Sequence, residues 1–143
     1  MTTRHDVVTT ELALHLVVSG GAAVPVTAAM RYDAIDPYAV RVGFRTGADE
    51  MVEWTFARSL LTDGVHRPAG EGDVRVWPSP ERSGQVVCLS LSSPSGHALF
   101  EIPVTGLVSF LRRTHSCVPS GRESDYVDLD AELALLVWTD PQV

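Results

Sequence analysis

Histidine is the residue type in this chain with the widest chemical range, since an imidazole can act as acid, base or metal ligand. There are five, at His5, His15, His66, His97 and His115. None lies in an HExxH or nucleophile-elbow pattern. Ser95-Gly96-His97 places a hydroxyl near an imidazole, but Ser93-Pro94-Ser95-Gly96 has the composition of a hairpin turn. Turn chemistry explains these residues without a nucleophile and a base, so we predict no catalytic residue.

Metal and nucleotide sites are equally poorly supported. His115-Ser116-Cys117 offers two ligands, yet no second pair such as CxxC follows. Gly70-Glu71-Gly72 lacks the GxxxxGK[ST] pattern and precedes a strand, which favours a turn. Several carboxylates follow, but their spacing does not match an EF-hand loop and is typical of a solvated helix start: Glu123, Asp125, Asp128, Asp130 and Glu132. The sequence therefore predicts neither metal nor cofactor.

Arginines on one strand suggest a binding surface instead. Arg41 and Arg45 alternate with the apolar residues of the strand Val40–Phe44, so both lie on one face. Together with aromatic residues at Tyr38, Trp54 and Trp77, such a face could bind single-stranded nucleic acid. The alternatives are a protein partner, or an ordinary exposed face whose arginines pair with Asp49, Glu50 or Glu53.

Composition opposes nucleic-acid binding and leaves the other two alternatives open. The 143 residues carry a formal net charge of -7, with a pI near 5.1, which opposes binding to polyanions. All 11 basic residues are Arg. Two cysteines, Cys88 and Cys117, do not make a disulfide framework. No apolar stretch approaches the ~20 residues of a membrane span, and Met1 to Asp6 lacks a signal peptide's features. We expect one soluble, cytoplasmic domain of residues 1–143 without nucleic-acid binding.

Apolar periodicity predicts the elements that position these residues. Period-two alternation indicates strands at Glu11–Val18, Val24–Tyr32, Val40–Phe44, Met51–Trp54, Val74–Trp77 and Val87–Leu91. Pro25 should lie at a strand start or on an edge. Helices are predicted at Phe56–Thr62, Val104–Thr114 and Leu129–Trp138, the first ended by Gly64 at positive φ.

The pattern predicts a strand-turn-strand-helix unit that occurs twice, at Ala39–Gly64 and at Val86–Thr114. Because tight turns join antiparallel strands, we predict an α+β fold with mainly antiparallel sheets and packed helices. In the third helix, Leu135 and Trp138 lie off the apolar stripe. That pattern is typical of a helix packed between subunits or presented to a partner.

Five blocks resemble the SsgA-like proteins of sporulating actinomycetes: DPYAVRVGFRTG, VEWTFARSLLTDG, HRPAGEGDVRVWPS, SLSSPSGHALFEIP and FLRRTHSCVPSGRESDYVDLDAEL. The resemblance runs from about Val8 to Leu136. It implies a fold related to the trimeric Whirly proteins, and hence a homotrimer. It assigns no catalytic residue and no cofactor.

The resemblance also implies a function. A protein of this kind marks future sporulation septa, recruits the tubulin-like FtsZ there and promotes its polymerisation, and an SsgA-type paralogue helps to position it. We therefore expect a non-enzymatic adaptor at the cell septum with no direct membrane insertion. FtsZ proteins are generally acidic, so the candidate contact residues are Arg41 and Arg45 on the strand and Leu135 and Trp138 on the last helix. The competing hypothesis, from fold analogy alone, is a Whirly-like single-stranded nucleic-acid-binding protein.

Overall fold

A computed structural model describes residues 6–45, 47, 50–80 and 85–127, and the structural statements below concern these residues. The described residues form seven strands and two α-helices, with four strands before the first helix and three before the second. Their order and bounds are β1 (Val7–Val17), β2 (Ala23–Asp33), β3 (Ala39–Arg45), β4 (Met51–Ala57), α1 (Arg58–Gly64), β5 (Val74–Pro78), β6 (Val86–Ser93), β7 (Gly96–Pro103) and α2 (Val104–Cys117). A short 3-10 turn, Glu123–Tyr126, follows α2.

All strand pairs within the described chain are antiparallel, in the order β4-β3-β2-β1-β7-β6-β5. This confirms the predicted α+β fold. Two meanders, β1 to β4 and β5 to β7, meet where Leu16 of β1 pairs with Phe100 of β7. Pro25 lies near the start of β2, opposite His15, while β3 pairs with β2 only from Thr27. Pro25 thus lies where β2 has a single described neighbour, as its missing amide requires.

The sheet is strongly curved, and Val40, Val42 and Phe44 lie on its concave inner face. Phe44 of β3 stacks on Phe100 of β7 with ring centroids 4.5 Å apart. Two strands separate β3 from β7, so a flat sheet would place them about 14 Å apart. The stacked rings therefore require strong curvature. The buried core lies inside this curl, with Leu14, Val40 and Leu107 at most 1% exposed.

Both helices pack on the inner face through a glycine. A Cβ atom at Gly106 of α2 would lie 2.7 Å from Leu12 Cδ2 of β1. A Cβ atom at Gly64 of α1 would overlap the side chain of Val76 in β5. A larger residue at Gly64 would push α1 off β5, whereas one at Gly106 would require the Leu12 side chain to move.

The first helix differs from its prediction. Phe56 is not helical: it pairs with Val40 and is 2% exposed, so β4 continues to Ala57 and α1 begins only at Arg58. The alternation through Trp54 and Phe56 belongs to the sheet. Gly64 does not end α1 at positive φ either; it is the last helical residue, and its contact with Val76 explains its identity.

The repeated unit is present. β3, β4 and α1 form the first copy, and β6, β7 and α2 form the second. In both copies the helix begins directly after its strand, with no intervening loop residue. The second helix has 14 residues against 7 in the first, and it ends at Cys117 rather than at Thr114. The predicted helix Leu129–Trp138 lies outside the described residues.

Candidate partner-binding site

Three arginines lie together on the outer face of the sheet. Arg41 and Arg45 of β3 are exposed, opposite to the buried Val42 and Phe44, as predicted. The register adds Arg31 of β2, which pairs directly with Arg41. We call Arg31, Arg41 and Arg45 the arginine face. Sequence reasoning missed Arg31 because its position depends on strand register, although its alternation with the apolar residues of β2 placed it on a polar face.

A trench crosses the sheet beside the Arg31–Arg41 pair. The register aligns Glu11, Ala29, Gly43 and Glu53 in one row across β1 to β4. The two central residues of this row, Ala29 and Gly43, have a small side chain and none. They therefore leave a cavity of about 450 Å³ above the sheet. A Cβ atom at Gly43 would lie 2.7 Å from Met51 Sδ, so Gly43 also makes room for Met51. We call this cavity the central trench.

Among the described residues the arginine face forms few direct ion pairs, although Glu11, Glu53, Asp33 and Asp36 line the same cavities as Arg31 and Arg41. Like charges at directly opposed positions of neighbouring strands destabilise a sheet. Arg31 Nη2 lies 3.4 Å from Asp33 Oδ2, a long contact with the Arg31 side chain 52% exposed, and therefore weak. Neither Arg41 nor Arg45 forms a salt bridge with another described residue, including the expected Glu50 and Glu53. Asp49 lies outside the described residues. The face can thus bind anionic groups.

The aromatic residues considered for nucleic-acid stacking are not assembled with the arginines. Trp54 of β4 lies on the same face as Phe56, opposite to the arginine face, and is half-buried. Its ring stacks on that of Phe56 with centroids 6.1 Å apart. Trp77 belongs to β5, at the opposite edge of the sheet. Tyr38 is 54% exposed in the turn before β3. The arginine face therefore offers charge without a row of stacking rings.

A fourth arginine has a different environment. Arg58, the first residue of α1, is 1% exposed. Its Nη1 donates to the carbonyl oxygens of Thr114 at 3.1 Å and Val118 at 2.8 Å, and its Nη2 donates to Glu123 Oε2 at 2.8 Å. The guanidinium also lies 4.9 Å from the centroid of the Tyr32 ring. Arg58 therefore ties the end of α2 and the turn Glu123–Tyr126 to α1.

This buried cluster shifts the pKa values of its neighbours. The hydrogen bond from Arg58 lowers the pKa of Glu123, which also accepts from the Gly121 amide. Burial raises the pKa of Tyr32 to about 12, and its hydroxyl donates to the Pro37 carbonyl at 2.9 Å. Tyr32 stays neutral and Glu123 stays ionised at neutral pH. The sequence did not predict this cluster, because the buried side of α1 was inferred from its apolar residues and Arg58 is charged.

The structure places some of the remaining sequence candidates, those within the described residues. His97 Nδ1 lies 2.8 Å from Ser92 Oγ across the β6–β7 hairpin, while Ser95 Oγ contacts Ser93 Oγ. Ser95 and His97 are thus separate parts of an exposed turn. Gly70 and Gly72 both have positive φ, at 90° and 81°, as a turn requires. Within the described ranges, no three potential metal ligands of the His, Cys, Asp and Glu types cluster together.

Comparison with known proteins identifies the family of this chain. Residues 26–123 match the family described as "Streptomyces sporulation and cell division protein, SsgA". This chain belongs to the SsgA family. It is 68% identical to the sporulation-specific cell division protein SsgB of Frankia casuarinae, over 99% of both chains. It is 57% identical to SsgB of Streptomyces coelicolor, over 89% of this chain and 93% of that protein.

Solved structures support the same assignment. An SsgA-like sporulation-specific cell division protein from Thermobifida fusca is 49% identical, with a TM-score of 0.83 over 94% of this chain and 98% of the other. A chain from work on SsgB mutations and longitudinal cell division in Streptomyces coelicolor gives a TM-score of 0.83 at 54% identity, over 88% and 99%. This SsgA-family protein is therefore a sporulation-specific cell-division protein most similar to SsgB, and its family is not one of enzymes.

The family match covers both arginine clusters. Residues 26–123 include the arginine face as well as Arg58 and its partner Glu123. No helix in the described part of this SsgA-family chain is long and apolar enough to cross a bilayer. The other two predicted contact residues, Leu135 and Trp138, lie beyond the described residues.

Proposed function

We propose that this protein is a non-enzymatic adaptor that marks future septum sites during sporulation, recruits FtsZ there and promotes its polymerisation. Support comes from its similarity to SsgB proteins. The observation that carries the proposal is the arginine face, where Arg31 and Arg41 oppose each other and whose one salt bridge within the described ranges is the long contact of Arg31 with Asp33. An adaptor needs an open surface for a protein partner, and this surface suits an acidic one.

The arginine face and the central trench have complementary roles in this proposal. Guanidinium groups bind carboxylates through paired hydrogen bonds, so the arginines orient an acidic partner. The trench, with Ala29 and Gly43 on its floor, accepts a partner side chain between the arginines. Glu11 and Glu53 flank it and repel acidic groups that are displaced sideways. Specificity then comes from the alternation of charges across the face.

Self-association belongs to the same proposal. A homotrimer would present three arginine faces to an FtsZ polymer, which raises avidity without new contacts. An SsgA-type paralogue would help to place the assembly. Leu135 and Trp138 are the apolar contact residues that we propose beside the arginines, since interface hot spots combine apolar anchors with arginine.

The test is co-sedimentation with polymerising FtsZ. The double variant Arg41→Glu with Arg45→Glu should weaken co-sedimentation by at least about tenfold, since charge reversal at a contact costs several kcal/mol. The matched control is Arg67→Glu with Arg75→Glu, which makes the same charge change at exposed sites on other elements. Light scattering should give the same trimer mass for all three proteins. Equal co-sedimentation of both variants would remove the arginine face from the proposed contact.

A second candidate function, binding of single-stranded nucleic acid, would use the same arginine face. A Whirly-like nucleic-acid-binding protein would use these arginines on phosphates, with strong salt dependence. The net charge of -7 and the separated aromatic residues oppose it. We expect no submicromolar binding to single-stranded oligonucleotides at physiological salt. Tight binding that is lost in Arg41→Glu with Arg45→Glu would replace the adaptor with this function.

A further inference from the structure

The two edges of the sheet differ in how they are closed. On the β5 edge, Ala69 exchanges two backbone hydrogen bonds with Val76, at 2.8 and 2.9 Å. On the other edge, β4 pairs with β3 alone among the described strands, over the seven residues Met51–Ala57. β4 contains no proline and its register has no bulge, so it lacks two devices that commonly prevent further pairing. The fold therefore covers one edge and leaves the other open to a further strand.

One backbone contact shows which groups of β4 point to the open side. The amide of Arg58, just beyond β4, donates to the Tyr38 carbonyl, just before β3, at 2.7 Å. In an antiparallel pair, positions that bond to the neighbouring strand alternate with positions that do not. Continuing the register, Phe56, Trp54 and Val52 bond to β3. The residues whose amides and carbonyls point outward, which we call the open edge, are Met51, Glu53 and Thr55.

Charges on the outer face indicate which side chains would suit an added strand. Arg45 pairs with Met51 at one end of the open edge, and Arg41 pairs with Thr55 at the other. Neither arginine forms a salt bridge with a described residue. Because neighbouring strands lie about 4.8 Å apart, a long side chain on β3 can extend across β4 to the next strand. Acidic residues opposite Met51 and Thr55, with a basic or neutral one opposite Glu53, therefore complement this face.

The inner face of the same edge favours apolar side chains. Val52 is 47% exposed and Trp54 is half-buried, although both lie on the concave side of the sheet. They line a cavity of about 240 Å³ together with Phe44 and Phe100. Apolar side chains opposite Val52 and Trp54 would remove this surface from water. The two faces together define an extended segment: two acidic residues four positions apart, an apolar residue next to each, and a basic or neutral residue at the centre.

We propose that β4 is a docking edge, where such a segment of the acidic protein partner adds to the sheet as an eighth strand. The inference rests on the proposed function and specifies how the partner is held. Backbone hydrogen bonds to the open edge give affinity, while the arginine face and Trp54 select the side chains. The docking edge and the arginine face are then two parts of one contact.

Hydrogen exchange of single amides in the full-length protein separates strand addition from contacts through side chains alone. In the free protein, the amides of Glu53 and Thr55 should exchange fast, whereas the Trp54 amide is protected by β3. With FtsZ polymers as the probe, the two outward amides should exchange at least about tenfold more slowly, since a paired amide exchanges only when the pair opens. Unchanged exchange in protein that co-sediments with FtsZ would overturn the docking edge and leave the proposed function standing. Protection already present in the free protein would also overturn it, because another segment or copy would then occupy β4.

A proline in β4 tests the same contact by co-sedimentation. Thr55→Pro removes an outward amide without breaking a hydrogen bond to β3, a change that sheet edges tolerate. Thr55→Ala keeps the amide and is the matched control. Co-sedimentation with FtsZ should be about tenfold weaker for the proline variant than for the alanine variant, as expected for a lost backbone hydrogen bond and a blocked approach.

The outcomes separate the docking edge from the proposed function. Equal co-sedimentation of the two variants, both folded by circular dichroism, would overturn the docking edge alone. Absence of co-sedimentation by the unchanged protein would overturn the proposed function and the docking edge with it. If Thr55→Pro does not fold, the exchange of the Glu53 and Thr55 amides in the unchanged protein decides.

Discussion

Arginines in this protein have two opposite kinds of surroundings, although Arg41 and Arg58 belong to the same unit of β3, β4 and α1. Arg58 is 1% exposed and its guanidinium donates to three acceptors from the end of α2 and the following turn. Arg31 and Arg41 face solvent on the outer side of the sheet, opposed to each other. A buried cation is tolerated only with partners, so Arg58 is committed to structure. The open arginines are still able to bind another molecule.

Removing the buried cation should have the largest effect on stability. Arg58→Met removes the side-chain donor of the Val118 carbonyl, and it removes one of two donors from the Thr114 carbonyl and from the Glu123 carboxylate. We expect the free energy of unfolding to fall by about 3–5 kcal/mol, as when one partner of a buried ion pair is lost. Urea denaturation measures it, with Arg45→Met as the matched control. A loss below about 1 kcal/mol would contradict the structural role of Arg58.

The carboxylate partner should give a smaller, pH-dependent effect. Because the pKa of Glu123 is lowered in the folded state, its ionised form stabilises the protein above its unfolded pKa of about 4.3. That stabilisation is lost as the pH falls through the folded-state pKa. Glu123→Gln should therefore cost about 1–2 kcal/mol at pH 7, since the carboxylate is partly exposed, and nothing below that pKa. Asp125→Asn, in an exposed pair with Arg122, should show no such dependence in denaturation curves.

The smallest effect is expected on the open face, where it should have the opposite sign. Arg41→Ala removes one of two opposed like charges, so the free energy of unfolding should rise by a few tenths of a kcal/mol, roughly 0.2–0.5. Salt screens exposed charges, and the gain should vanish near 1 M. Thermal unfolding at low and high salt measures it, beside Thr55→Ala on the neighbouring strand. A loss of stability would indicate that Arg41 has a structural partner after all.

Periodicity predicted much of the fold because it depends on local patterns. Alternation located six of the strands, β7 was predicted only as the second apolar run of the repeated unit, and the hairpin signals predicted antiparallel pairing. Periodicity assigned Phe56 to the helix, because the end of β4 and the start of α1 both contain apolar residues. Only the pairing of Phe56 with Val40 shows that Phe56 belongs to β4. Periodicity also misjudged Gly64, whose role depends on contact with the distant Val76. Such contacts between elements leave no periodic signal in either segment.

The candidate site was predictable in part, for the same reason. Arg41 and Arg45 are four residues apart in one strand of period two, so the sequence of β3 alone places them on the same face. Arg31 and the row from Glu11 to Glu53 require the register of four strands. Arg58 requires knowledge of where α2 ends. Site residues that lie on one strand could be grouped from the sequence, whereas those that the pairing or packing of two or more elements brings together could not.

The junction of the two meanders has a consequence for how the chain is made. Only three residue pairs, centred on Leu16 and Phe100, join β1 to β7. The first meander is complete at Ala57, but Phe44 obtains its stacking partner only when Phe100 has been synthesised. At about 5–20 residues per second, the roughly 46 residues from Ala57 to Pro103 take about 2–9 s. For those seconds the nascent chain carries a finished, uncovered apolar sheet at the ribosome, where a chaperone that shields such surfaces would raise its folding yield.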